Sequence, residues 1–152
     1  MKKIKVGSKI PQFELIDQHG KKFDSHSLIG EKNIVLYFYP KDFTPGCTIE
    51  AKGFRDSYEV FKEAGAEVIG ISADSIESHE NFCQKNQLPY ILLSDPGNKV
   101  RNSFGIPKGL LGLIPGRVTY VIDKEGIVKF IFKSQFEAAR HISESLEVIK
   151  KM

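Results

Sequence analysis

Cys47 is the residue whose setting suggests chemistry. It follows Thr44-Pro45-Gly46 and opens a helical period in which Cys47, Ala51, Phe54, Tyr58 and Phe61 share one face. A cysteine in the first turn of a helix meets unpaired backbone N–H groups and the positive end of the helix dipole, and both favour an anion. The thiolate is that anion, so the position predicts an acidified, nucleophilic sulfur. Gly46 has no side chain, which leaves the approach to the sulfur open and lets its N–H face a bound oxygen. The alternative is a plain core cysteine on the Phe54–Tyr58 stripe, because free cysteine is among the most buried residue types. A core role does not require a Pro-Gly loop in front of it.

The elements that must hold this sulfur follow from the pattern around it. Ile34 to Tyr39 is apolar throughout, as a strand buried on both faces should be. The helix from Cys47 ends at Gly65, and Glu67 to Ser72 reads as a second buried strand. Asp74 and Glu77 suggest a capping box for a helix that carries Ile76, His79 and Cys83 on one stripe and stops before Pro89. Tyr90 to Leu93 is a third strand, and Asp95-Pro96 opens a short helix closed by Gly105. Strands at 118–122 and 127–131 form a hairpin. Ser134 and Glu137 then cap a last helix with Ala139, Ile142, Leu146 and Ile149 inward. An earlier hairpin around Gln18-His19-Gly20 completes the order. Strands alternating with helices imply a parallel core, made mixed by the final hairpin. This predicts a single α/β domain over residues 1–152 with a thioredoxin-like fold: a central mixed sheet flanked by helices, with an N-terminal β-hairpin.

Composition narrows the function. The 152 residues carry 22 basic and 19 acidic side chains, a net charge of +3, with no long basic run, which argues against nucleic-acid binding. The longest apolar run is too short for a membrane helix, and no secretory signal precedes the domain. The expectation is a cytoplasmic protein whose two thiols are reduced at rest. Cys47, Cys83 and the histidines 19, 26, 79 and 141 show no metal-ligand spacing, and no cofactor is implied.

Pro40, Thr44 and Cys47 match the Pro-x-x-x-Thr-x-x-Cys signature of peroxiredoxins, thiol peroxidases on the thioredoxin fold. The wider string from Tyr39 to Thr48, together with Glu50, Gly53-Phe54-Arg55-Asp56, Leu92-Leu93-Ser94-Asp95 and Arg117 to Asp123, resembles the Q-type branch, also called bacterioferritin comigratory protein. The resemblance implies that Cys47 attacks hydrogen peroxide and organic hydroperoxides, that Thr44 is a hydroxyl partner for peroxide and thiolate, and that Arg117 is a cation beside the sulfur. It also implies that Pro40 shapes and shields the pocket. Donors from Thr44, Arg117 and the Gly46 and Cys47 backbone would stabilise charge growing on the leaving oxygen. Glu50, one turn along the helix, would orient the Arg117 guanidinium; a solvated helix carboxylate is the competing reading.

Attack leaves a sulfenic acid that a thiol must resolve. Lys52 stands where many Q-type members carry a resolving cysteine; the resemblance includes a subset whose resolving cysteine lies on the next helix, which makes Cys83 the candidate, with a buried structural thiol as the competing reading. A disulfide needs Cα atoms within about 7 Å, so two helix-borne cysteines would meet only if a helix frays. The resemblance implies thioredoxin or a similar thiol as reductant, and a monomer or weak homodimer. Two other readings stay open: a one-cysteine peroxidase recycled by an external thiol, and a non-enzymatic peroxide sensor. A dithiol oxidoreductase is disfavoured, because Thr44 occupies the first position of what would be Cys-x-x-Cys. The apolar stretch Gly109 to Gly116 is a candidate lining for the peroxide entrance.

Overall fold

The computed structural model describes residues 3–106, 108–109 and 114–152. In chain order the elements are β1 (Glu14–Asp17), β2 (Lys22–Asp24), β3 (Asn33–Phe38), α1 (Pro45–Glu63), β4 (Ala66–Ser72), α2 (Ile76–Asn86), β5 (Ile91–Ser94), α3 (Lys99–Ser103), β6 (Lys108–Gly109), β7 (Ile114–Pro115), β8 (Val118–Ile122), β9 (Val128–Lys133) and α4 (Ala138–Lys150). Seven strands form one sheet in the order β2-β1-β5-β4-β3-β8-β9, and β6 pairs with β7 apart from it. Strands β3, β4 and β5 run parallel, while β8, β9, β1 and β2 join antiparallel, the mixed thioredoxin-like arrangement expected.

All six residues of β3 are buried, and alternate side chains enter two different apolar layers. Val35 and Tyr37 pack beneath α1, α2 and α4 with Phe54, Phe61, Phe82 and Ile142. Ile34, Leu36 and Phe38 pack on the opposite face with Val100 and Phe104. Both cysteines border the first layer. The α1 stripe of Cys47, Ala51, Phe54, Tyr58 and Phe61 is buried as its spacing predicts.

Four expectations need correction. The α2 cap is Ser75, whose hydroxyl accepts from the Ser78 N–H, and not Asp74. The Asp74 carboxylate is already engaged, accepting from the Asp42 N–H at 2.9 Å and the Ser72 hydroxyl at 2.5 Å. Ile76 lies at the exposed start of α2, so only His79 and Cys83 of its proposed stripe are inward. On α4 the inward residue of the first turn is Ala138 rather than Ala139, because the helix begins at Ala138 and its buried face continues through His141, Ile142, Ser145 and Ile149. Ser134 and Glu137 bond to each other, at 3.0 and 3.2 Å, but they do not form the expected capping box: the N-cap of α4 is Glu137, and no side chain among the described residues caps the helix.

Candidate active site

Strand β3 delivers the chain to the site and α1 carries the sulfur. Thr44 is the N-cap of α1, with Pro45 as first helical residue, where its missing N–H costs nothing. The first helical hydrogen bond runs from the Thr48 N–H to the Thr44 carbonyl at 2.9 Å, so the N–H groups of Gly46 and Cys47 have no helical acceptor. The loop before them is fixed to α2 at two points. Asp42 accepts from the Ser78 hydroxyl at 2.9 Å, and its Oδ2 lies 2.7 Å from His79 Nδ1. Phe43, in the left-handed region at φ 64°, sets its ring edge-on to Phe82, with centroids 5.1 Å apart.

Arg117 reaches the sulfur from the entry of β8. Its Nη2 donates to Cys47 Sγ at 3.3 Å, its Nη1 to Glu50 Oε1 at 2.6 Å and its Nε to the Gln135 carbonyl at 3.2 Å. Burial alone would lower the Arg117 pKa, but Glu50 and Cys47 opposite it raise it above its ordinary value. Glu50 is fully buried, which disposes of the solvated-carboxylate reading. Burial lifts its pKa to about 7, against the opposing pull of Arg117. A Cβ on Gly46 would stand 3.0 Å from Arg117 Nη2, so the glycine makes room for the guanidinium.

A cavity of about 350 Å³ opens over this group, lined by Pro40, Thr44, Pro45, Gly46, Arg117, Gln135, Phe136 and Ala138. Cys47 itself is only 1% exposed, so Gly46 and the guanidinium stand between the cavity and the sulfur. The Thr44 hydroxyl donates to the Lys41 carbonyl at 2.8 Å; its oxygen lone pairs remain to accept from a ligand O–H. The structure thus brings together Pro40, Thr44, Gly46, Cys47, Glu50 and Arg117. Cys83 lies away from the cavity, on α2, as a free buried thiol. Burial, with Asp42 and Asp17 nearby, pushes its pKa up to about 12. The middle of the apolar stretch 109–116, Leu110 to Leu113, falls outside the described residues.

Sequence reasoning missed two buried supports. Arg101 donates to the carbonyls of Tyr39, at 3.0 Å, and Gly116, tying the two residues that precede Pro40 and Arg117. Burial lowers its pKa to about 10, which leaves it charged at neutral pH. His141 of α4 is the other, with Nε2 2.8 Å from the Ser134 carbonyl oxygen and Nδ1 2.7 Å from the Thr119 hydroxyl. Neither residue belongs to a local pattern that would have marked it.

A thioredoxin-like sheet with a lone cysteine at a helix N-terminus, faced by a buried guanidinium, is the architecture of a thiol-based peroxidase. Residues 6–131 match the AhpC/TSA family, and the chain belongs to that family, in its peroxiredoxin Q branch. The chloroplastic peroxiredoxin Q of Triticum aestivum is 53% identical over 99% of this chain and 69% of its own length. That of Arabidopsis thaliana is 54% identical over 97% of this chain and 68% of its own. Among solved structures, peroxidoxin BcpB from Mycobacterium tuberculosis superposes with a TM-score of 0.90 at 36% identity, covering 98% of both chains. The bacterioferritin comigratory protein of Xanthomonas campestris, described for its alkyl peroxide reduction activity, gives 0.83 at 30% identity over 91% of this chain and 90% of its own. The plant relatives overturn the cytoplasmic expectation: they are named chloroplastic, and the lack of a secretory pattern in this sequence does not speak to a plastid destination.

Proposed function

We propose that this peroxiredoxin reduces hydrogen peroxide and organic hydroperoxides with Cys47 as the attacking thiolate. The observation that carries the assignment is the 3.3 Å contact of Arg117 Nη2 with Cys47 Sγ beneath the cavity, at the open end of a helix. The thiolate attacks one oxygen of the peroxide, the S–O bond forms as the O–O bond breaks, sulfur becomes sulfenic acid, and the other oxygen takes a proton and leaves as water or an alcohol. Arg117 and the N–H groups of Gly46 and Cys47 supply charge stabilisation in a site largely closed to water. The Thr44 oxygen accepts from the peroxide O–H, and Pro40 and Pro45 wall the approach. Glu50 holds the guanidinium in the plane that faces the sulfur.

Cys83 then attacks the sulfenic sulfur, releasing water and forming a Cys47–Cys83 disulfide, which thioredoxin or a similar dithiol reduces. With its thiol held neutral by burial, Cys83 does this only after the first turn of α1 or the Cys83 turn of α2 opens. The resemblance to the Q-type branch favours a monomer or weak homodimer as the working form. The test is a peroxidase assay with thioredoxin and its reductase on wild type, Cys47→Ser and Cys83→Ser, with mass spectrometry after one equivalent of peroxide. A linked Cys47–Cys83 peptide pair and an inactive Cys47→Ser are expected. Sustained thioredoxin-linked turnover by Cys83→Ser, with no linked pair in wild type, would transfer resolution to an external thiol.

A further inference from the structure

Strands β3 and β8 pair as far as Phe38 with Val118, and each then leads into the site. On the β3 side the chain continues with Tyr39 and Pro40, and Pro40 has no N–H with which to extend the ladder. On the β8 side Gly116 and Arg117 directly precede Val118. One side chain spans this opening. Arg101 donates from Nη2 to the Tyr39 carbonyl at 3.0 Å and from Nη1 to the Gly116 carbonyl. Each carbonyl belongs to the rigid peptide plane that enters a site residue, Tyr39–Pro40 in one case and Gly116–Arg117 in the other. The guanidinium therefore fixes two planes against each other, and with them the starting points of the Cys47 loop and of the Arg117 side chain.

Arg101 is itself held in place. It is 4% exposed, its guanidinium carbon lies 5.6 Å from the centre of the Phe38 ring, and its backbone N–H donates to Asp95 Oδ2 at 3.0 Å. The Asp95 carboxylate also accepts from the Val100 N–H and supplies the opposite charge. An apolar side chain in this place would leave two buried carbonyls without their donor. A planar fork serves both at once, as a single ammonium does not. We propose that Arg101 is a positioning residue of peroxide reduction: its guanidinium clamps the Tyr39–Pro40 and Gly116–Arg117 peptide planes so that Arg117 Nη2 meets the Cys47 sulfur. Arg101 does not line the cavity, so it acts through Arg117 and not on the peroxide. Its charge also lies near enough to Cys47 and Arg117 to act on both, and the test must separate that charge from the fork. The inference rests on the assignment of Cys47 as the attacking thiolate.

The experiment is a double-mutant cycle on the second-order rate of Cys47 oxidation by hydrogen peroxide, with denaturation midpoints measured beside it. Arg101→Gln should slow oxidation about thirtyfold, short of the roughly hundredfold that a misplacement of about 1 Å can cost. In an Arg117→Gln background the same change should cost less than about twofold, because the group it positions is gone. A merely structural Arg101 would lower the midpoint and slow both backgrounds alike, and that result would overturn the proposal. Arg101→Lys keeps the charge, but its one nitrogen cannot occupy both Nη positions, so it should stay at least about tenfold slow. A wild-type rate in Arg101→Lys would assign the effect to charge alone and would equally overturn it. Should Arg101→Gln not fold, Arg101→Lys carries the cycle under the same criteria. Should neither fold, nuclear magnetic resonance of wild type decides. Separate, slowly exchanging Nη protons are expected of a clamped guanidinium, and one averaged signal refutes the clamp. If Cys47→Ser consumed peroxide as fast as wild type, the parent assignment would fail. The same cycle read by iodoacetamide labelling of Cys47 would still report whether Arg101 acts through Arg117.

Discussion

The two cysteines are buried to nearly the same degree, 1% and 8% exposed, yet their surroundings have opposite sign. Cys47 sits in the first turn of α1, before any helical acceptor has been used, with a guanidinium 3.3 Å from its sulfur. Cys83 sits well inside α2, where the backbone N–H groups are already paired, and its charged neighbours are Asp42 and Asp17. Exposure therefore does not distinguish the proposed attacking thiol from the other. Position along the helix and the charge of the facing side chain do.

Alkylation of the folded protein provides the largest test of this contrast. With its pKa near 12 against an ordinary value of 9.0, Cys83 should react with iodoacetamide about a thousandfold more slowly at pH 8 than it does once denatured. Peptide mapping after timed quenching reads the ratio, and comparable rates in both states would mean that Cys83 is not seated as described. Next in size is Arg117→Gln, which removes the cation while keeping a polar side chain. Loss of about 10²–10³ in the second-order rate with peroxide is expected, the range seen when a preorganised charge-stabilising donor is deleted. A change within twofold would leave the helix terminus as the sole activator. Gly46→Ala is the smallest, about tenfold in the same assay, because the new Cβ meets Arg117 Nη2 at 3.0 Å and the guanidinium must shift by a few tenths of an ångström.

Stability should carry a related signature. The Glu50 pKa is raised in the fold, so its contribution is full below about pH 4.5 and is lost as pH rises through about 7. The His141 pKa is depressed, so its contribution is full above about pH 6.5 and is lost as pH falls through about 4. The two slopes oppose each other over one window. Glu50→Gln should expose the His141 slope, seen as a denaturation midpoint that falls on acidification from pH 6.5 more steeply than in wild type.

Much of this was legible in the sequence because it is periodic or local. The α1 stripe, the uninterrupted apolar run of β3 and the Pro-Gly entry to the helix each leave a mark within a dozen residues. Glu50, three residues after Cys47 on the same helical face, left two readings open, a hold on Arg117 or a solvated carboxylate, and the bond to the guanidinium 67 positions away decides for the first. Arg101 was invisible for a similar reason. Its partners are main-chain carbonyls 15 and 62 positions distant, and a side chain bonding to backbone imposes no residue type on its partner. The misplaced α2 cap shows the converse. Asp74 has the right chemistry for a cap, but the adjacent Asp42 loop claims its carboxylate, and Ser75 takes the role one residue later.

The Asp42 linkage has a consequence for the whole redox cycle. One carboxylate on the Cys47 loop is shared by a hydroxyl and an imidazole on the helix that bears Cys83, so the two cysteine-bearing segments are fastened to each other at this joint. Its components are internal to the chain and are not consumed by the proposed chemistry. If the proposed Cys47–Cys83 disulfide springs this latch, the oxidised form is the loosened one and the latch favours the closed pocket again after reduction.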